Sequence, residues 1–390
     1  MTCMTERLPI KLWLEDMEDG AMEQSKHLAN LPFTFKHVAI MPDSHQGYGM
    51  PIGGVLATQG VVIPNAVGVD IGCGMCAVKT SLTEISTETL KKFMDDIRKV
   101  VPVGFGHHKE KQSKEYMPGY IDPEVGSALS LSMLNGIVMK EWEKALYQIG
   151  TLGGGNHFIE IQKGSDGHIW VMIHSGSRNL GFQVAHHYNE VAIRLNEQWH
   201  TTIPKAWELA FLPLDSTEGH RYIEEMNFCV EFALANRKLM MDRILEIIGV
   251  EHEEMINIAH NYATLEHHFN QDVMVHRKGA TLARVGTTGI IPGSQGTKSY
   301  IVQGLGNPES FESCSHGAGR KMGRKEAQRT LNLEEEVRKL NEQGVLHAIR
   351  GINDLDEAPG SYKDIDVVME NQKDLVAIVT ALTPLAVIKG

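Results

Sequence analysis

Six residues of this 390-residue chain carry metal-grade donor atoms close to glycine, asparagine or serine: Asp70, Cys73, His157, His174, His260 and His316. The densest setting is Val67-Gly68-Val69-Asp70-Ile71-Gly72-Cys73-Gly74-Met75, which reads as an apolar strand ending in a carboxylate, with a thiol three residues on between two glycines. Glycine tolerates positive φ and lets a ligand approach the backbone closely. A hard oxygen and a soft sulfur at one rim suit a borderline divalent ion better than magnesium alone. The plain alternative is a tight turn around a buried thiol, since free cysteines are among the most buried residues. The histidines bear on that choice. One thiolate able to bridge two ions, one carboxylate and several imidazoles would make a two-metal centre of the kind that stabilises in-line phosphoryl displacement.

The surrounding elements are read from hydrophobic period and punctuation. Strands are expected over 9–16, 35–43, 53–64 (around a Gly60 turn) and 76–82, and helices over 18–30 and 84–100. The loop after the 35–43 strand carries Asp43 and His45, which read either as groups supporting a nearby metal or as an Asp turn. A helix is expected over 126–146, broken near Gly136. Gly153-Gly154-Gly155 then opens a turn that is not a Walker loop, because the Lys-Ser/Thr ending is missing. Alternation after it puts Phe158 and Glu160 on one face and His157 on the other. A buried strand stops at His174, and Ser175-Gly176-Ser177-Arg178 opens a helix. Long amphipathic helices are expected over 183–200 and 222–248, and a third helical run ending at 256–262 with His260-Asn261. A strand at 274–278 turns into a basic hairpin. Residues 289–300 form a small-residue loop rich in free N–H groups, able to hold an anion or nucleotide. Gly323 and Arg324 at a helix start suit phosphate. A last helix should reach Thr380, followed by a strand to Gly390.

Composition bounds the rest. Hydrophobic residues make up 42% and charged residues 22%, as in a soluble globular protein. No run of eighteen apolar residues is present, so no spanning helix is expected, and the N-terminus does not read as a secretion leader. Five scattered cysteines (Cys3, Cys73, Cys76, Cys229, Cys314) are not a disulfide framework, which fits a reducing cytoplasm. The net charge of −12 argues against a protein that coats nucleic acid, while leaving room for an enzyme that grips strand ends through a local basic patch. No repeat or linker interrupts the chain, and candidate residues spread from Asp70 to Lys389, so one domain over 1–390 is expected.

Taken in order, the motifs Val-Gly-Val-Asp70-Ile-Gly-Cys73-Gly, Gly-Gly-Gly-Asn156-His157-Phe-Ile-Glu160, His174-Ser-Gly-Ser-Arg178, His260-Asn261-Tyr262, Arg277-Lys278-Gly279-Ala, Pro292-Gly-Ser-x-Gly, Ser315-His316-Gly-Ala-Gly-Arg320 and Val-Ile-Lys389-Gly390 closely resemble the RtcB family of RNA ligases. The likeness runs from about Phe35 to Gly390. It implies an α+β fold: one large domain of mixed and antiparallel sheets, surrounded by helices, around a central metal cleft. The implied activity joins an RNA 3′-phosphate or 2′,3′-cyclic phosphate end to a 5′-hydroxyl end, with GTP as co-substrate and two Mn²⁺ ions. Cys73 would bridge the ions, Asp70 and His157 completing one site and His174 and His260 the other. His316 would attack the α-phosphorus of GTP and carry GMP. Asn156, His157, Phe158, Ile159, Glu160, His260, Asn261, Pro292, Gly293, Ser294, Gln295, Ser299, His316, Gly317, Ala318, Gly319 and Lys389 would cradle the guanylate. Arg178, Arg277 and Arg320 would contact the RNA. The resemblance further implies tRNA splicing or RNA repair, a cytoplasmic monomer with no membrane association, and leaves an activating protein partner open. Ser44, Asn179, Gln295 and Gly323 depart from the family pattern. Two other readings stand beside it: a dinuclear phosphoesterase with no use for His316 or Lys389, and a metal-stabilised RNA-binding protein.

Overall fold

The computed structural model of the chain describes residues 1–119 and 136–390. A six-stranded sheet runs in the order β1 (Thr2–Thr5), β2 (Pro9–Leu12), β3 (Thr34–His45), β4 (Ile52–Thr58), β12 (Gln271–Lys278), β11 (Asn261–His268). It is mixed, because β2 and β3 are parallel and the other pairs antiparallel. A seven-stranded antiparallel sheet runs β10 (Ile256–Ala259), β6 (Gly74–Lys79), β8 (Ile169–Ser175), β7 (Phe158–Gly164), β17 (Val376–Lys389), β15 (Ser299–Gly304), β14 (Thr288–Ile291). Two short pairs, β5 (Val61–Val62) with β9 (Leu212–Pro213) and β13 (Ala280–Leu282) with β16 (Ser313–Ser315), complete the strands among the described residues.

The second sheet positions the site, and its core explains why. In β8 every residue is buried, so its run Ile-Trp-Val-Met-Ile needs cover on both faces. One face packs with β6 and β7 against α2 (Thr87–Val100) and α5 (Thr217–Ile248), through Val171, Ile173, Met240 and Ile244. The other gathers Met75, Trp170, Met172 and Ile301. Helix α5 starts where the Ser216 hydroxyl accepts from the Gly219 N–H and stops at Gly249, with φ +67°. A further core joins α5 to α3 (Ile137–Gln148) and α4 (Arg178–Gln198), and another joins the two sheets and α8 (Ile365–Asn371). Helix α1 (Asp19–Asn30) packs through Leu28 and Ala29 against β2 and β3, and α6 (Arg324–Thr330) and α7 (Leu333–Glu342) follow β16 in the chain. The α+β class holds.

Several local expectations change. Residues 67–73 are a turn, not a strand: the backbone leaves a 3₁₀ turn at Pro64–Ala66 and reverses at Gly68 (φ +96°) and Gly72 (φ +74°) before β6 begins. The run to 262 is not helical. Ile256 to Ala259 pair in register with Ala77 to Gly74, and sheet completion overrides the local period. The last helix ends at Asn371, and the β-branched stretch from Val376 becomes a strand paired on both sides. Strands flank a loop only over 292–298 where a longer loop was expected. Of the predicted 126–146 helix, residues 126–135 lie outside the described part; the remainder is α3, with Gly136 at its N-cap as the expected break.

Arg277 is not at a nucleic-acid surface. It is 0% exposed, pairs through both Nη atoms with the buried Glu266, and donates to Ser313 Oγ at 2.9 Å and the Phe311 carbonyl at 3.0 Å. Burial pushes the Glu266 carboxyl up, but His268 and the two arginines beside it outweigh burial and hold it near 2. A carboxyl depressed in the folded state stabilises fully above its ordinary 4.5, and that contribution is lost as pH falls toward 2. Arg277→Met leaves the buried Glu266 carboxylate with only His268 and Arg284 and should cost about 3 kcal/mol in urea unfolding at neutral pH. The stability gap between wild type and Glu266→Gln should narrow as pH is lowered from above 4.5 toward 2; a pH-independent gap contradicts the assignment.

Candidate active site

Antiparallel register aligns the candidate residues along one end of the seven-stranded sheet. Gly74 opposes both Ala259 and Ser175, and Phe158 opposes both His174 and Lys389. Cys73, His260, His174, His157 and Lys389 are these residues or their immediate neighbours, so strand pairing alone brings them to one rim. Cys73 Sγ lies 3.3 Å from His174 Nε2 and 3.5 Å from His157 Nε2. Asp70 Oδ2 lies 3.1 Å from His157 Nε2. The His260 ring is 5.2 Å from that of His174. Donor atoms of Cys73, His157 and His174 are all within 4.8 Å of one another, a set able to hold a metal ion.

The outer nitrogens orient the rings. His157 Nδ1 donates to the Leu152 carbonyl at 3.0 Å and His174 Nδ1 to the Asn156 carbonyl at 3.1 Å, leaving both Nε2 lone pairs turned inward. His260 Nδ1 is buried with no partner among the described residues, the state of a nitrogen able to take a ligand. Burial first, then neighbouring imidazoles, pushes His174 and His260 well below the usual histidine range, so both are neutral and competent donors at pH 7. Burial and then Asp70 push the Cys73 thiol up. Burial would raise Asp70 too, but the adjacent His157 ring leads the interactions that keep it low. The donor set of thiol, carboxylate and imidazole therefore fits a borderline divalent cation. Cys73 and Cys76 form a C-x-x-C spacing, yet Cys76 points into the core against α5 and takes no part.

His316 follows β16, and its ring meets that of His260 edge-on at 4.8 Å. Its Nδ1 is 2.5 Å from Asp43 Oδ2, and that oxygen also accepts the His316 and Gly317 backbone N–H groups at 3.0 and 3.3 Å. Asp43, at the end of β3, thus holds His316 rather than the metal-type cluster. Gly319 (φ +73°) passes so close to the Asp43 carbonyl that a Cβ would collide with it.

Asp70, Cys73, His174, His260 and His316 line a cavity of about 1340 Å³. That exceeds the roughly 300–1,000 Å³ of a small-molecule site. Asn156, Phe158, Glu160, Asn261, Pro292, Gly293, Ser294, Gln295, Gly317, Ala318, Gly319 and Lys389 reach it. Ser299 lies just behind, accepting from the Gly293 N–H at 3.1 Å and from Gln162 at 3.2 Å. Ile159 does not face it; strand alternation sends this side chain into the core with Val171 and Ile173. Burial pushes Glu160 up to about 8, against the opposing pull of Gln162 and Lys389.

Glu357, which no motif flagged, anchors the far wall. It accepts from Lys389 and Tyr362 at 2.6 Å, Arg324 at 2.9 Å and Arg320 at 3.4 Å. Asp356 takes a second bond from Arg324 at 2.7 Å, so two carboxylates stand among the three cations and one positive charge is left over. Gln295, one of the departures, donates to the Glu357 carbonyl at 2.9 Å and accepts from the Ala348 N–H at 3.0 Å. Arg178 packs behind the rim instead, donating to Thr151 Oγ1 at 3.1 Å and the Gly104 carbonyl at 3.3 Å. Lys278, on the cavity wall, is pushed down to about 7 by burial, Glu208 opposing.

The family model described as tRNA-splicing ligase RtcB matches residues 24–390. Fold and site thus define a protein of the RNA-splicing-ligase class. An RNA-splicing ligase RtcB of Escherichia coli (strain K12) is 37% identical over 410 residues, covering 99% of this chain and 98% of that protein. A tRNA-splicing ligase RtcB of Thermococcus kodakarensis is 32% identical over 459 residues, covering 98% and 95%, and one of Archaeoglobus fulgidus is 31% identical over 446 residues, covering 97% and 92%. The chain belongs to the RtcB family. No helix among the described residues is long and apolar enough to cross a membrane.

Cys73 is the donor that touches both His157 and His174. Cys73→Ala should therefore give folded protein that retains far less Mn²⁺ after gel filtration than wild type, read by elemental analysis; equal retention contradicts a cluster centred on this sulfur.

Proposed function

We propose that this protein is a GTP- and Mn²⁺-dependent RNA ligase that joins 3′-phosphate or 2′,3′-cyclic phosphate ends to 5′-hydroxyl ends through a histidine–GMP intermediate. The observation that carries the reading is the placement of His316: an imidazole held by a buried carboxylate, edge-on to a Cys/His cluster, inside a cavity with a cationic far wall. Asp43 accepts the Nδ1 proton and so leaves Nε2 as the lone pair for attack.

In the first step Nε2 attacks the α-phosphorus of GTP, the bond to the β-phosphate oxygen breaks, and pyrophosphate leaves. The resulting N-phosphorylated ring still carries its Nδ1 proton and a positive charge, which the Asp43 carboxylate stabilises. In the second step an oxygen of the RNA 3′-phosphate attacks the same phosphorus and the imidazole leaves, neutral again. In the third the RNA 5′-hydroxyl attacks the activated 3′-phosphate, loses its proton and expels GMP. A cyclic phosphate is first hydrolysed to the 3′-monophosphate. Asp70, Cys73, His157, His174 and His260 would hold two Mn²⁺ ions, which would supply charge neutralisation at the reacting phosphates.

Glu160 and Lys389 are suited to the guanine end: a buried carboxyl and an ammonium at the closed end of the cavity can read a base edge that presents both donors and acceptors. Arg320 and Arg324 suit phosphate. The RNA substrate follows from what the relatives' names state, splicing of tRNA among them. We assign the whole chain to one catalytic unit acting as a cytoplasmic monomer.

Incubation with α-labelled GTP and Mn²⁺ should label wild-type protein through an acid-labile bond and leave His316→Ala unlabelled. Label surviving in His316→Ala, or none in wild type, would falsify the ligase reading and favour a dinuclear phosphoesterase. Removal of Lys389-Gly390 should reduce labelling at least tenfold with a small change in melting temperature; a much lower melting point with labelling intact reverses that assignment.

A further inference from the structure

Helix α5 carries two adjacent residues that no sequence motif singled out, Asn236 and Arg237, both 0% exposed. Arg237 Nη1 donates to the Gly72 carbonyl at 2.9 Å and the Ser175 carbonyl at 2.8 Å, Nη2 to the Ile258 carbonyl at 3.2 Å, and Nε to Asn257 Oδ1 at 2.8 Å. Gly72 precedes Cys73, Ser175 follows His174, and Ile258 lies two residues before His260. Asn236 takes the remaining loop. Its Oδ1 accepts from the Gly150 and Thr151 N–H groups at 2.7 and 3.1 Å, and its Nδ2 donates to Ser175 Oγ at 3.2 Å and the Gly176 carbonyl at 3.1 Å. Ser175 Oγ in turn donates to the Leu152 carbonyl at 2.7 Å, the same oxygen that accepts from His157 Nδ1. From one two-residue node, hydrogen bonds reach the backbone beside Cys73, His174 and His260 and, through Ser175 Oγ and the Leu152 carbonyl, the His157 ring.

The bonding of Arg237 argues for geometry over charge. Its partners are carbonyl oxygens and an amide oxygen, so a fully buried guanidinium is retained without a carboxylate bonded to it, an expensive arrangement. A fixed cation behind a cation site repels the incoming ion while favouring the Cys73 thiolate, so charge acts both ways there. What no other side chain reproduces is a planar fork of donors that meets three chain segments at once.

We infer that Asn236 and Arg237 are positioning residues that set the spacing of the Cys73, His157, His174 and His260 donors before a metal arrives. The inference rests on reading that cluster as a metal site. The test uses metal-free full-length wild type, Arg237→Lys and Asn236→Ser. Each is titrated with Mn²⁺, read by the electron paramagnetic resonance of the free ion, and with Co²⁺, read by its ligand-field and thiolate charge-transfer absorption.

Arg237→Lys keeps the charge and loses the fork. It should bind Mn²⁺ about 10–100-fold more weakly per folded molecule and give an altered Co²⁺ spectrum. Asn236→Ser should move both readouts the same way. Wild-type affinity and spectrum in Arg237→Lys overturn the inference, as does weaker binding that only tracks the unfolded fraction seen by circular dichroism. If Arg237→Lys does not fold, Asn236→Ser decides on the same two readouts. Wild type that binds neither ion fails at the earlier point, and both the metal reading and the inference fall with it.

Discussion

Everything else in this molecule answers to the packing of a thiol and three imidazoles at the end of one sheet, almost out of contact with water, beside a carboxylate that is one third exposed. Burial favours the uncharged forms of such groups, and His174, His260 and Cys73 all shift accordingly. Held that way, they would repay their desolvation poorly with one another, because neutral imidazoles and a thiol make only weak mutual hydrogen bonds. A divalent cation changes the balance: it favours the thiolate and uses the inward lone pairs. The rings therefore have to be aimed correctly with no ion to aim them. That is why the outer nitrogens of His157 and His174 are tied to backbone carbonyls.

His316 obeys a different constraint. A nucleophile must keep one nitrogen free and lie close to the cations without joining their ligand set. Asp43 satisfies this from another sheet, and the three N–H donors converging on one of its oxygens set the angle of ring and backbone together. The opposite wall is built on the same economy of charge. Glu357, with Asp356 on Arg324, orders Lys389, Arg320 and Arg324 while leaving one positive charge over, so an anionic ligand meets cations already in place.

Legibility in the sequence followed locality. Glycine-flanked donors are visible because the glycines report a tight backbone path, and the helices at 18–30, 84–100 and 222–248 are visible because their period is sustained over many turns. Residues 256–262 were misread because an Ile-x-Ile segment carries little period of its own and takes its state from pairing with β6. Asp70 lies in a turn, not on a strand, because Gly68 and Gly72 break the extension that Val67, Val69 and Ile71 suggest. Arg277 looked like a surface cation beside Lys278, and only the opposing Glu266 shows it to be interior. Glu357, Asn236 and Arg237 carry no local signature at all.

The amino-acid sequence by itself determined the donor inventory, the glycines that let backbone approach backbone, the family likeness and the α+β class, because each is written in residue types at short spacing. The tertiary structure alone decided which donors meet, that Asp43 serves His316, that three cations share Glu357, and that α5 braces the cluster from behind. Those are contacts between residues tens to hundreds of positions apart. Strand register and helix packing set them, and neither leaves a trace in neighbouring residues.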